Sequence, residues 1–273
     1  MKTILIIIGG IADFTHQSPD DRTPLMAANT PSLDLLAEGG ALGCMKPGLR
    51  NKPLSDSSGL LSIFGYDCNR GIPSNDLLRE FGFDNSNGSS FREINYMVIP
   101  GFSGHGSVIT TSPIARAIGK MAFLTPVDIY SPGGVETEVL EEMARQTVLR
   151  IKNDEFVFVY VNLPHIAAMK GDYEGKRCAI EQIDRHLITP IADYVWHTDE
   201  FMNLAVTSDH ISSCADRDVA IGMVPAVVYF NDQTDYKARG FDESSALKGE
   251  LELREPNDLM KFLNTFSPKF QEE

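Results

Sequence analysis

Three short runs of the 273-residue chain, at 3–8 (Thr-Ile-Leu-Ile-Ile-Ile), 156–161 (Phe-Val-Phe-Val-Tyr-Val) and 202–207 (Met-Asn-Leu-Ala-Val-Thr), are almost continuously apolar. A strand with one wet face alternates polar and apolar residues, so runs like these suit strands covered on both faces, as in parallel sheets flanked by helices. Between them lie segments of helical period. In 135–152, Val139, Met143, Val148 and Ile151 share a face, with Glu138, Glu141 and Glu142 largely outside it. In 173–196, Ile180, Ile183, Leu187 and Ile191 recur at helical spacing, and Pro190 is expected to kink or split the helix. Thr30-Pro31 ahead of 32–38 and Ser112-Pro113 ahead of 114–122 each read as an N-cap with a first-turn proline, and Gly39-Gly40 closes the first of these helices. Shorter strands are expected at 41–45, 94–99, 108–111, 127–130 and 226–230, and a last helix near 257–266. This alternation predicts an α/β fold, a mostly parallel central sheet with helices on both faces. No repeat or linker divides the chain, so residues 1–273 read as one domain.

Composition narrows the function classes. Apolar content of 42% and charged content of 23% are those of an ordinary globular protein. A formal net charge of −14 makes a nucleic-acid backbone an unfavourable partner. Cys44, Cys68, Cys178 and Cys214 form no CxxC pair, so neither a zinc knuckle nor a redox motif is signalled. Unpaired thiols, no signal-peptide pattern and no apolar run of membrane length lead to the expectation of a soluble cytoplasmic protein with no membrane contact.

The strongest site signal follows the run at 202–207: Ser208, Asp209 and His210 come at once after it. In open α/β sheets ligands gather beyond the carboxyl ends of the strands. A carboxylate and an imidazole delivered there are the side chains that most often hold a divalent cation. The competing expectation is a polar loop in which Asp209 caps a turn and His210 is solvated.

Several longer segments carry a resemblance. Arg22-Thr-Pro-Leu-Met-Ala-Ala-Asn-Thr-Pro-Ser-Leu-Asp34, Leu61-Ser-Ile-Phe-Gly-Tyr-Asp67 and the strand and helix within 109–122 are similar to the archaeal-type cofactor-independent phosphoglycerate mutases. The first of these segments also resembles that of the closely related homoserine-kinase-like proteins of the same branch of the alkaline phosphatase superfamily. Asn162-Leu-Pro-His-Ile-Ala-Ala-Met-Lys-Gly-Asp172 and Thr207-Ser-Asp-His210 through Arg217-Asp218 and Val224-Pro225 keep the family's spacing. The resemblance implies an alkaline-phosphatase-like core. It also implies a chemistry in which two divalent cations flank a serine nucleophile and clamp the transferred phosphoryl group.

At the positions the resemblance assigns to that chemistry, this chain departs. Gly9 stands where the family has an aspartate after the first strand, His165 where it has another, and Met169 and Val219 where it has histidines. The nucleophile position falls on Asp56, or on Ser55 or Ser57 after a one-residue slip. Only Asp209 and His210 are unchanged. Glycine and valine offer no ligand, and a thioether suits the hard cations poorly, so a two-metal centre is not expected. One zinc or manganese ion could be held by Asp209, His210, Asp56 and His165. The alternative is a relic site of hydrogen-bonded polar groups, with His165 bonded to a backbone carbonyl. Arg116 takes the place of the family's active-site lysine, and Arg70, in Asn69-Arg-Gly71, resembles its arginine beside the nucleophile segment. Either guanidinium suits bidentate capture of a phosphate, and either one equally suits pairing with surface acids. Asp13 matches a family aspartate or only braces the Gly9-Gly10 turn.

The family's cap domain is reduced here to a short insertion near 68–106, since about forty residues separate Asp67 from Val108, too few for an independent domain. A cap excludes water, so even an active version is expected to hydrolyse and not to transfer. Three expectations follow: a non-catalytic relative that binds a small phosphorylated or other anionic ligand, or a protein partner or second copy; a one-metal phosphohydrolase; and an intact mutase or kinase whose ligands lie elsewhere in the chain.

Overall fold

The computed structural model describes residues 1–15, 21–48, 58–66, 105–231, 237 and 239–265. Its frame is an eight-stranded sheet. Five strands form one half: β1 (Lys2–Ile8), β3 (Gly106–Thr110), β4 (Thr125–Val127), β5 (Phe156–Val161) and β6 (Met202–Thr207). The other half is β2 (Ala41–Met45), β9 (Val224–Phe230) and β10 (Leu251–Leu253), and a separate hairpin is made by β7 (Ile211–Ser213) and β8 (Asp218–Ala220). The order across the sheet is β10-β2-β9-β6-β1-β5-β3-β4. Only β9 runs against its neighbours, pairing antiparallel with both β2 and β6.

The apolar runs become the central strands. β1 pairs parallel with β5 on one side and β6 on the other, and Ile4 to Ile8 are fully buried. Each of these side chains contributes about 1.5–3 kcal/mol by leaving water. Alternate residues feed opposite faces. Ile4, Ile6 and Ile8 pack with helices α2 (Pro31–Gly39), α5 (Glu136–Ile151) and α7 (Tyr173–Ile183), while Leu5 and Ile7 pack with α3 (Ser58–Ile63), α4 (Pro113–Met121) and α10 (Asp258–Thr265). The remaining helices are α1 (Pro24–Ala27), α6 (Leu163–Met169), α8 (Thr189–His197) and α9 (Glu243–Ala246). No helix among the described residues is long and apolar enough to cross a membrane.

Three expectations shift. The strand foreseen at 127–130 is Thr125–Val127, because these residues pair with Ser107 to Ile109 while Tyr130 projects 78% exposed beyond the sheet edge. The buried stripe of α5 is Leu140, Met143, Ala144, Thr147 and Ile151, with Val139 and Val148 at its rim. Thr147 can sit in that stripe because its hydroxyl donates to Met143 O at 2.8 Å, which satisfies the polar atom within the helix. The helix expected to kink or split at Pro190 is interrupted just upstream of it, by a π turn at Asp184–Ile188 that joins α7 to α8, and the proline falls in the first turn of α8, where it cannot make the i→i−4 bond. The strand expected at 94–99 lies outside the described residues, as does most of the insertion at 68–106.

The π turn has a structural use. Thr30 makes no side-chain cap for α2. Instead Asp184, 1% exposed, accepts from Ser32 N (3.2 Å) and Leu33 N (2.8 Å), and Ser32 Oγ meets Thr189 Oγ1 at 2.7 Å. Burial pushes the Asp184 carboxyl up to about 6, against those two amide hydrogen bonds. Asp184→Ala is expected to cost about 1–3 kcal/mol, since it orphans buried donors at a helix start. Because the folded-state pKa is raised above the unfolded value, Asp184's contribution to stability is greatest at low pH and falls as pH rises through 6. The stability gap between wild type and Asp184→Ala, measured by urea unfolding, should therefore widen from pH 7 to pH 5; a narrowing gap would contradict this assignment.

Candidate functional site

The register of the central strands builds the site. Ile8 lies beside Val161, and Ile7 beside both Tyr160 and Thr207. The chain therefore leaves β1, β5 and β6 at one level, and it delivers Gly9-Gly10, Asn162 and Ser208-Asp209-His210 to a common edge. Gly9 N donates to Val161 O at 2.7 Å and His165 N to Gly9 O at 3.2 Å, which ties the start of α6 to the end of β1. Gly10 has φ +67, and a Cβ there would lie 2.2 Å from Ser212 Oγ, so this turn needs glycine twice over.

Asp209 and His210 are 0% and 1% exposed; the polar-loop expectation, with His210 in solvent, is overturned. Asp209 Oδ2 accepts from the Tyr160 hydroxyl at 3.1 Å. Asp209 Oδ1 lies 2.9 Å from His210 Nδ1 but has no well-aligned hydrogen-bond donor among the described residues. His210 Nε2 approaches His165 Nδ1 to 3.2 Å, with the rings edge to face. His165 Nδ1 is also 2.9 Å from Ser212 Oγ, so this half-buried imidazole meets a hydroxyl and a second imidazole where a backbone carbonyl was one expectation. On its other side, Asp209 is backed by α3: a Cβ on Gly59 would lie 2.0 Å from Asp209 O.

The cluster continues into a buried ion pair. Lys176, 0% exposed, donates to Asp13 Oδ2 (3.0 Å), Ala12 O (2.9 Å) and Ser212 O (2.6 Å). Burial holds its pKa below the usual lysine value, opposed by the nearby Asp13 carboxylate. Asp13 also accepts from Phe14 N and Cys214 N, so it fastens the loop after β1 to the strand carrying Ser212 and does not merely brace the Gly9-Gly10 turn. Behind it, Glu243 accepts from Asp13 N and the Thr23 hydroxyl, and burial pushes its carboxyl up to about 7. Thr23 to Tyr160 thus form one continuous polar chain at the tips of the central strands.

Of the site residues foreseen in the sequence, the structure brings together Asp209, His210 and His165. Arg116 is engaged elsewhere, bonding Asp128 Oδ1 at 2.7 Å and Val127 O at 3.2 Å at the sheet edge. Asp56, Ser55, Ser57 and Arg70 lie outside the described residues. Tyr160, Ser212 and Lys176 were not foreseen. Tyr160 is the one residue of its strand run with a polar tip, and a buried tyrosine hydroxyl normally finds a partner; that was the available signal.

A sequence profile of the Metalloenzyme superfamily matches residues 1–265. The chain belongs to that family. Its similarity to a 2,3-bisphosphoglycerate-independent phosphoglycerate mutase of Methanosarcina barkeri is 31% identity over 159 residues, covering 58% of this chain and 40% of that one. The chain therefore spans about two fifths of the length of that curated relative. Among solved structures, the PH0037 protein from Pyrococcus horikoshii superposes with a TM-score of 0.75 at 22% identity, over 96% of this chain and 95% of that one. The alkaline phosphatase from the Antarctic bacterium TAB5 superposes with a TM-score of 0.52 at 11% identity, over 97% and 98%. The fold of this Metalloenzyme superfamily member is thus the alkaline-phosphatase-like α/β core expected from its sequence.

Lys176→Met should destabilise by about 3–5 kcal/mol, because it leaves Asp13 as an uncompensated buried charge. Lys176→Met combined with Asp13→Leu should recover part of that loss in guanidinium unfolding; equal losses in the single and double variants would show that the pair is not coupled. Tyr160→Phe, which removes the donor to Asp209, is expected to cost about 1–3 kcal/mol, read as a lower thermal midpoint.

Proposed function

We propose that this Metalloenzyme superfamily member has given up two-metal phosphoryl transfer and keeps the cleft at the strand tips to bind an anionic ligand or a protein partner. One contact carries the proposal: the Tyr160 hydroxyl sits on Asp209 Oδ2. That hydrogen bond meets part of the need of a fully buried carboxylate that a cation would otherwise meet. The donor set supports the same conclusion. Gly9, Met169 and Val219, three positions where the resemblance calls for a carboxylate or an imidazole, provide neither. The residues present do not fit a pair of hard divalent cations, and no phosphoryl-transfer step is assigned to them.

A second function, one-metal hydrolysis of a phosphate ester, is favoured by a separate observation. The 3.2 Å between His165 Nδ1 and His210 Nε2 is close to the roughly 3.4 Å between two nitrogen ligands of one tetrahedral zinc. Asp209 beside His210 Nδ1 would then act as the outer carboxylate that orients a ligating imidazole.

Metal analysis separates the two. Protein purified without chelator and dialysed against zinc or manganese should retain less than one ion per chain, and it should not hydrolyse an aryl phosphate in the presence of manganese. One zinc per chain, lost in His165→Ala, together with turnover lost in Asp209→Ala, would establish the one-metal function. Two ions per chain with turnover would overturn both and restore the expectation of an intact two-metal enzyme.

A further inference from the structure

The side chain that residue 9 lacks and the side chain that residue 160 carries compete for one volume. A Cβ placed on Gly9 would lie 2.6 Å from the Tyr160 hydroxyl oxygen, 3.2 Å from its ring Cζ and 3.1 Å from Asn162 Cβ. Both partners sit on paired backbone. Gly9 is pinned by its hydrogen bond to Val161 O at 2.7 Å. Tyr160 is 5% exposed on a strand locked between β1 and β3, with its ring centroid 6.5 Å from that of Phe158. The hydroxyl that fills this volume also donates to Asp209 Oδ2. It therefore gives a fully buried carboxylate the positive end of a dipole, a need that in other proteins a bound cation meets.

We infer that Tyr160 is a built-in substitute for a cation at Asp209, and that the identities of residues 9 and 160 are coupled. Glycine can stand with tyrosine, and an acid can stand with a small side chain, but an acid cannot stand with tyrosine. The inference deepens the non-catalytic proposal and rests on it for the native state, yet the coupling itself is a matter of steric and electrostatic contact that can be read independently. An acid at position 9 with Tyr160 removed would face Asp209 Oδ2 across the vacated space, giving two carboxylates around one point, with His210 beside the other oxygen of Asp209. That is a donor set suited to manganese or zinc.

The experiment uses the whole chain in four forms: wild type, Gly9→Asp, Tyr160→Val and Gly9→Asp/Tyr160→Val. Valine is chosen because it is small and favoured in strands. Manganese binding is followed by electron paramagnetic resonance and by calorimetry after chelator treatment. The double variant should bind manganese at least about tenfold more tightly than either single variant, and its thermal midpoint should rise when the metal is added. Gly9→Asp alone should show a lowered thermal midpoint and no gain in manganese affinity. Manganese binding by Gly9→Asp alone that equals the double variant would overturn the inference, as would a folded double variant with no gain over wild type.

A metal-free cycle decides the matter if the double variant does not fold. Gly9→Ala should lower the thermal midpoint markedly in wild type and much less in the Tyr160→Val background; equal shifts in both backgrounds would mean that the two residues do not compete, and the inference falls. Wild-type protein that already holds manganese at this site would remove the non-catalytic proposal, whereas additivity in the cycle removes only the coupling of 9 with 160, so the two failures are distinct.

Discussion

The ladder that holds β1 between β5 and β6 has no slack. Each strand is buried on both faces, and every backbone amide within it is committed to a neighbour, so a slip of one residue would turn the buried isoleucines of β1 to the wrong face and leave donors unpaired. The three strands therefore finish at one level, and the chain must turn there. Among the described residues, the candidate site is attached to those turns: the glycine pair after β1, His165 as the third residue of α6, and Asp209-His210 directly after β6.

Polar groups at such an edge face a choice between water and one another, and here they have closed on one another. Lys176 reaches from α7 to gather the loop after β1 and the strand bearing Ser212, with three acceptors around one ammonium. The low local dielectric makes each of these bonds strong and makes any missing member costly. A network of this kind favours a single arrangement of the strand tips over a set of loosely related ones. The pairing of the Tyr160 hydroxyl with Asp209 is the far end of the same chain, separated from Lys176 by Ser212, His165 and His210.

The sequence carried the sheet more clearly than it carried the site. Runs such as Phe156–Val161 announce a doubly covered strand without reference to any partner, and Thr30-Pro31 and Ser112-Pro113 both mark real helix starts, although only Ser112 caps its helix with its own side chain. Asp209 and His210 were legible for a related reason, because a strand end in a parallel sheet says where the next residues must emerge. Contacts between distant segments were not legible. Nothing local to Lys176 signals that its helix face closes over Asp13, and nothing local to Asp184 signals that its carboxylate caps a helix begun some 150 residues earlier. Arg116 stood open between a phosphate and a surface acid for the same reason: its helix is legible, but the acid at Asp128 that pairs with it depends on where the edge strand ends. Tyr160 shows the limit most plainly, since its meaning comes from the absence of a side chain at residue 9.

The π turn at Asp184–Ile188 is in effect one surplus residue threaded into an otherwise regular helix. Each residue of an α-helix advances the face by about 100°, so a chain lacking that surplus would roll α8 about its axis and carry Ile191 and Val195, both fully buried, away from the sheet. Length variation between related chains is therefore not free to fall here: α7 and α8 must be inherited with their offset, like two gears meshed one tooth apart.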